Sequence, residues 1–487
     1  MKRYIAIIFI GMLLAACSNN LNLKPLSQNS VANYYQSASD IEVGVNGAYQ
    51  ALQLIGQYGQ DNVFLMEVRS DNSEESDLGA SGAIFSDLDT FKERPTNSVL
   101  AESWRDNFIG IQRCNIILNR IDGVSMDANI KNIRKGEMQF LRALMYFNLV
   151  RIFGDVPLVL NETTDPNESF SQGRSSATDV YTQIVSDLNS AANLLPVTQS
   201  QIGKATKGAA NALLGKVYLT LKRYSEAEQT LRKITGYRLI SSYANVFGVS
   251  NKNNAESIFE VQYKKGNGST IIANGLGDGL GQGSAYANLF APQGGNSLLG
   301  PSGGQALGSN RPTLDLINSF EQGDLRKDAT IGILNDRAYP AKYLDKPNKV
   351  FDSDLNFIVL RYADVMLMLA EALNEQAYNA TGEAFSLINQ IRQRAGLNIL
   401  TSITTPNQDS FRLALENERR HELAFEGHRW FDLLRTNRAL TVMQKHVTNS
   451  GGVQIALSSI KAFQLLYPVP QTEIDTNPNK ILQNPGY

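Results

Sequence analysis

The chain has 487 residues, with 45 Lys plus Arg against 47 Asp plus Glu and 43% apolar residues. Charges that nearly cancel leave no field strong enough to hold a polyanion, which excludes nucleic acid as a partner. Past the N-terminus no stretch approaches the roughly 20 apolar residues that span a bilayer, so the mature chain is soluble in itself.

In chain order, Lys2 and Arg3 precede a short apolar run from Tyr4 that ends in Leu14-Ala15-Ala16-Cys17. A charged start, a short apolar stretch and small residues make an export signal, too short for a transmembrane helix. Residues 1–16 therefore read as a cleaved lipoprotein signal peptide, with Cys17 as the lipidated N-terminus. Several acyl chains hold such a protein well, since each buried methylene adds about 0.8 kcal/mol. An ordinary secretory signal with a chance cysteine is the bland alternative. Cys114 is then the one remaining cysteine, so no internal disulfide forms. Its place in the series Phe108, Ile111, Cys114, Ile117 and Leu118 makes it inert helical core.

Residues 17–487 read as mainly α and as one domain. Apolar residues at spacings of three and four predict helices over 38–56, 98–121, 128–153, 176–195, 204–222, 224–234, 361–377, 381–395 and 410–435. They come in pairs. In 204–234, Gly215 and Tyr218 precede Lys222-Arg223 at a turn, then Ala227 and Leu231, which matches most of the tetratricopeptide pattern. Asn211 stands where that pattern has Trp, so the repeats are degenerate. Small residues at Gly215 and Ala227 let two antiparallel helices approach closely. Two stretches break the periodicity: 57–97, and 266–345 with its run Gly275-Leu276-Gly277-Asp278-Gly279-Leu280-Gly281. Irregular segments this long in a compact protein are functional or disordered.

Several phrases together resemble the SusD/RagB family of nutrient-uptake lipoproteins from Bacteroidota. They are the lipobox, DIEVGVNGAYQAL from Asp40, FLRALMYFNLVRIFGDVPLV from Phe140, DVYTQIVSDLNSAANLLP from Asp179, LRYADVMLMLAEALNE from Leu360, IRQRAGL from Ile391 and NERRHELAFEGHRWFDLLR from Asn417. The C-terminus adds Tyr467-Pro468-Val469-Pro470 and Gln483-Asn484-Pro485-Gly486-Tyr487. The resemblance implies four degenerate tetratricopeptide units carrying an irregular ligand-binding half. It implies a SusC-type TonB-dependent transporter as partner, over whose barrel the lipoprotein sits as a lid, and a place on the outer membrane facing the exterior. Ser18 to Asn22 contain no acidic residue, so exposure is implied by the family and not by the local signal. The family serves oligosaccharides and, in some members, peptides, and its base rate favours a glycan.

Candidate ligand contacts are the aromatics of the irregular stretches, Phe85, Phe91, Tyr286, Phe290, Tyr339 and Tyr343, with Asn72, Asn288 and Asn296 as hydrogen-bonding partners. The alternative is that they staple long loops onto the helices. Trp104 and Trp430 fall in scaffold phrases and read as core. His421 and His428, seven apart in a predicted helix beside Glu418 and Glu422, point to a salt-bridge network and not to metal, because zinc ligands on one helix are usually four apart. The acidic residues between Glu67 and Asp77 lack the alternation of a calcium loop. No Gly-x-Ser-x-Gly elbow, His-Glu-x-x-His or P-loop is present, and neither a cofactor nor catalysis is expected. A glycan-degrading enzyme with two unmarked carboxylates and a helical scaffold for another protein stay open as rivals.

Overall fold

A computed structural model describes residues 34–75, 82–165, 167, 172–269, 281–450 and 452–487. Residues 1–33, Cys17 among them, lie outside the described residues, as does most of the glycine run.

The architecture is mainly helical, as the periodicity requires. Helix α1 (Ala38–Ala51) is followed by a π turn at Ile55–Gly59, α2 (Asp61–Glu67), β1 (Ser73–Glu74) and α3 (Gly82–Asp89). Then come α4 (Ser98–Arg120), α5 (Ala128–Phe153), α6 (Ala177–Leu194), α7 (Lys207–Thr220) and α8 (Tyr224–Leu231). After β2 (Ser257–Val261) the elements shorten to α9 (Tyr286–Phe290), β3 (Arg311–Pro312), β4 (Ile331–Leu334), β5 (Arg337–Pro340) and β6 (Phe357–Arg361). Helices α10 (Tyr362–Gln376), α11 (Glu383–Arg394), α12 (Gln408–Glu422) and α13 (Arg429–Arg435), strands β7 (Val447–Ser450) and β8 (Val453–Ala456), and α14 (Gln471–Thr476) close the chain.

The long helices stack in order. α5 packs on α4 and α6, α6 on α7, α7 on α8, α8 on α10, and α10 on α11 and α12. In α6 the buried residues Val180, Ile184, Leu188 and Ala191 recur at spacings of three and four, so one stripe faces the neighbours. Ser176 caps the helix by accepting from the Asp179 N–H. Arg142 of α5 then fixes Asp187 of α6 through a fork of 2.8 and 2.7 Å. In the α7–α8 pair a Cβ placed on Gly215 would overlap Leu231, so the close approach that the repeat pattern demands is made here.

The structure departs from the predicted helices in two informative places. Helix 38–56 stops at Ala51 because the chain turns so that Gly56 lies against the backbone of Glu102, where any side chain would collide. Helix 410–435 is interrupted after Glu422: Phe425 and Gly427 adopt φ of +66° and +75°. That turn points the N–H groups of Phe425 and Gly427 at the buried carboxyl of Glu67, 3.2 and 2.9 Å away. Burial pushes this carboxyl up to about 7 even though Gly427, Phe425 and Asn72 stabilise its charged form. His421 and His428 consequently do not share one helix face. His421 stacks on Phe320 and bonds Ser319, while His428 lies 3.1 Å from the Lys216 ammonium.

Where they are described, the two stretches without periodicity are built of short helices and strands, and they converge. β1 pairs with β3, Ser73 opposite Pro312 and Glu74 opposite Arg311. Thr313 donates its N–H to the Asn72 carbonyl at 3.0 Å, and Arg311 pairs with Glu74 at 2.9 Å. Segments of 57–97 and 266–345, more than 200 residues apart in sequence, thus form one body.

Candidate functional site

That body carries every ligand candidate named from the loops, and the structure arranges them in three ways. Tyr286, Phe290 and Tyr343 form one buried aromatic nest with Tyr58, Tyr263 and Phe357, ring centroids 5.2–6.2 Å apart. Phe64 continues it to Phe290 at 6.1 Å and to Phe85 at 4.5 Å. Tyr263 donates its hydroxyl to the Tyr58 carbonyl at 2.6 Å, Tyr286 donates to the same carbonyl, and Tyr343 donates to the Phe425 carbonyl at 2.8 Å. Phe91 is elsewhere, with its ring 5.8 Å from Trp430 and under the Arg69 guanidinium. Tyr339 covers Gly332 of the β4–β5 hairpin.

The expectation that these rings offer faces to a ligand therefore needs correction. Phe91, Tyr286, Phe290, Tyr339 and Tyr343 are 0–8% exposed, and a ring enclosed by other side chains has no face left for a sugar. They staple the loops, together with Val63, Leu65, Leu88, Leu289, Leu299 and Leu316, which are buried in the same segments. Asn72 and Asn288 are likewise buried. Asn72 accepts from Arg420 at 2.8 Å, and Asn288 donates to the carbonyls of Gly303 and Gln305 while accepting from Phe351. Phe85, half-buried on Phe64, and Asn296, exposed with its Oδ1 accepting from Ala306, are the two candidates that reach the surface.

The residues that sequence reasoning missed are those that fix this body to the helices. Arg361, at the end of β6, is enclosed by Glu256, Glu422 and Glu426 at 2.6–2.8 Å. Glu256 also meets Arg394, Glu426 also meets Lys342, and Glu422 also meets Arg326, which is held by Asp324 and Glu418. Burial alone would raise the Glu422 carboxyl, but Arg394, Arg361 and Arg326 hold it well below the usual carboxylate range. This is the ion-pair network expected around Glu418 and Glu422, extended to Arg326 and Lys342 of the irregular stretch. Partners this far apart leave no local sequence signal.

Trp104 and Trp430 are 3% and 0% exposed, in line with the core reading, and burial pushes the Cys114 thiol up to about 12. Among the described residues, two of the larger cavities lie among the long helices, and neither is lined by 57–97 or 266–345. One of about 430 Å³ is bordered by Tyr224, Arg412, Glu416 and Arg435, whose charges pair with neighbours: Arg412 with Glu375, Arg435 with Glu371 and Asp432. The other, of about 600 Å³, lies between α4 and α14 beside Trp104 and Phe108. Among the described residues no helix is long and apolar enough to cross a membrane.

Comparison with known proteins adds an independent line. Residues 335–487 match a family model described as "SusD family", and residues 21–219 match one described as "Starch-binding associating with outer membrane". The chain is 26% identical over 528 residues to SusD-like protein P2 of Formosa agariphila, covering 100% of both chains. It is 24% identical over 582 residues to the starch-binding protein SusD of Bacteroides thetaiotaomicron, covering 100% of this chain and 99% of the other. Among solved structures, a laminarin binding SusD-like protein superposes with a TM-score of 0.79 at 29% identity, covering 93% of this chain and 100% of that one.

Proposed function

We propose, from the premise that this chain belongs to the SusD/RagB family, that it binds an oligomeric glycan without altering it and delivers it to a SusC-type TonB-dependent transporter in the outer membrane. The observation that carries this reading is the whole-length likeness to a laminarin binding SusD-like protein, at 29% identity and a TM-score of 0.79. The fold supports it: two irregular segments are held as one body on a rigid helical scaffold, which is how binding loops are presented. We place the ligand on the outer surface of that body, where Phe85 and Asn296 reach the solvent.

Titration calorimetry against laminarihexaose, maltohexaose and an oligopeptide mixture tests the function. Saturable heat with a hexasaccharide and no release of reducing ends is the expected result. Heat from peptides alone would move the ligand class to oligopeptides, and hydrolysis would make the protein an enzyme. Phe85→Ala should weaken glycan binding by about 1–3 kcal/mol, roughly tenfold to a hundredfold, through lost ring contact. Unchanged affinity in that variant would remove Phe85 from the site.

The anchor is proposed at Cys17, the cysteine that ends the export signal. Cys17→Ala should leave the membrane fraction, whereas retention on membranes in cells lacking the transporter would overturn the assignment. In cells that carry the transporter, crosslinking of the wild-type protein should join it to an outer-membrane barrel, and failure to do so would count against the SusC-type partner.

A further inference from the structure

We propose that the cavity of about 600 Å³ between α4 and α14 is a second carbohydrate subsite, separate from the loop face, which takes one pyranose ring against Phe108 with ring hydroxyls on Glu473. The proposal rests on the reading that this chain binds glycans, and its test separates the two.

The cavity has the size and composition of a small-ligand site, which typically holds roughly 300–1,000 Å³ and joins an apolar lining to a few polar groups. Ile111 and Ile481, 1% and 3% exposed, close its floor, and Phe108 is only partly buried. Phe108 is held in place by Trp104 at 5.4 Å and Tyr146 at 6.4 Å, and Trp104 in turn packs edge-on against Phe153 at 5.1 Å. A ring fixed this way loses little freedom when a sugar stacks on it.

Glu473 supplies the polar side. Burial raises its carboxyl and the Trp104 indole N–H lowers it, with no guanidinium or ammonium among the influences on it. A half-buried carboxylate without a cation is an acceptor for two neighbouring hydroxyls, the arrangement that a pyranose presents. Arg105, with its side chain 54% exposed, adds guanidinium donors at the rim while its Nε holds Asp106 at 2.8 Å. The 430 Å³ cavity differs here. Its arginines and carboxylates already satisfy one another, so a neutral polyol entering it must break ion pairs to gain hydrogen bonds.

The chain has two tryptophans, one at this cavity and one fully buried beside Phe91, which gives a direct readout. In the protein labelled with 5-fluorotryptophan, titration with laminarihexaose or maltohexaose should move the fluorine resonance of Trp104 and leave that of Trp430 in place. Glu473→Gln should weaken the Trp104 titration roughly tenfold. Ile109→Arg, at a rim position 37% exposed, should abolish it by filling the opening without disturbing the core. Calorimetric binding with an unmoved Trp104 resonance would overturn the cavity subsite and leave the glycan function standing. Absence of both heat and shift would overturn both. A Trp104 shift that disappears in Phe85→Ala would assign the signal to the loop face and likewise overturn the subsite.

Discussion

Arg361→Met should destabilise the protein by about 3–5 kcal/mol, read as a lower denaturation midpoint in urea. Its guanidinium is 1% exposed and faces three carboxylates, Glu256, Glu422 and Glu426. Removing it leaves uncompensated negative charge in a site where water does not reach, and one-sided loss of a buried pair costs far more than the pair itself is worth. Arg361→Lys should recover only part of the loss, because an ammonium cannot reproduce the fork that bonds Glu426 through Nε and Nη2 at 2.6 and 2.9 Å. Pairing Arg361→Met with Glu426→Gln should destabilise less than the sum of the two single changes, since both belong to one network. A cost under about 1 kcal/mol for Arg361→Met would show that the carboxylates find other cations, such as Arg394 and Lys342, which already touch them. Because Arg326 and Lys342 tie the irregular segment into the same network, the loss of Arg361 should also loosen the loop body that we take to hold the ligand.

Tyr286→Ala should cost about 3–5 kcal/mol of stability while leaving glycan affinity per folded molecule close to wild type. The ring is 0% exposed and touches Tyr263, Phe290, Tyr343 and Phe357, so truncation opens a cavity in a nest that cannot collapse around it. Tyr286→Phe keeps the ring and removes the hydroxyl that bonds the Tyr58 carbonyl. It should cost about 0.5–1.5 kcal/mol, since Tyr263 still satisfies that carbonyl. Thermal unfolding and calorimetry on the same preparations check both statements. The reverse outcome, an unchanged melting temperature with lost binding, would make Tyr286 a ligand contact and require the nest to open when glycan binds.

These paired expectations mark where sequence reading reached its limit. The helices between 98 and 395, the α7–α8 hairpin at Gly215, the core positions of Trp104, Trp430 and Cys114, and the likeness to the SusD family were legible in the chain. Each rests on a local pattern: a period of three to four residues, a small residue opposite a large one, or a phrase kept in order. What the chain could not announce is whether an aromatic in an aperiodic stretch faces inward or outward. Phe85 and Tyr286 look alike in sequence, yet one rests half-buried on Phe64 and the other lies in the centre of a nest. That difference is decided by partners about 20 to more than 200 residues away, Tyr58, Tyr263, Tyr343 and Phe357, brought together by the β1–β3 and β2–β6 pairings. The break after Glu422 has the same origin. Helical periodicity runs through 410–435, but the buried Glu67 carboxyl requires N–H donors, and the chain leaves the helix at Phe425 and Gly427 to provide them. The sequence alone thus determined most of the helices and their pairing, whose signals are local, but not where 38–56 stops or 410–435 breaks. Only the tertiary structure decided which loop side chains are left to meet a ligand, because burial depends on contacts between segments far apart in the chain.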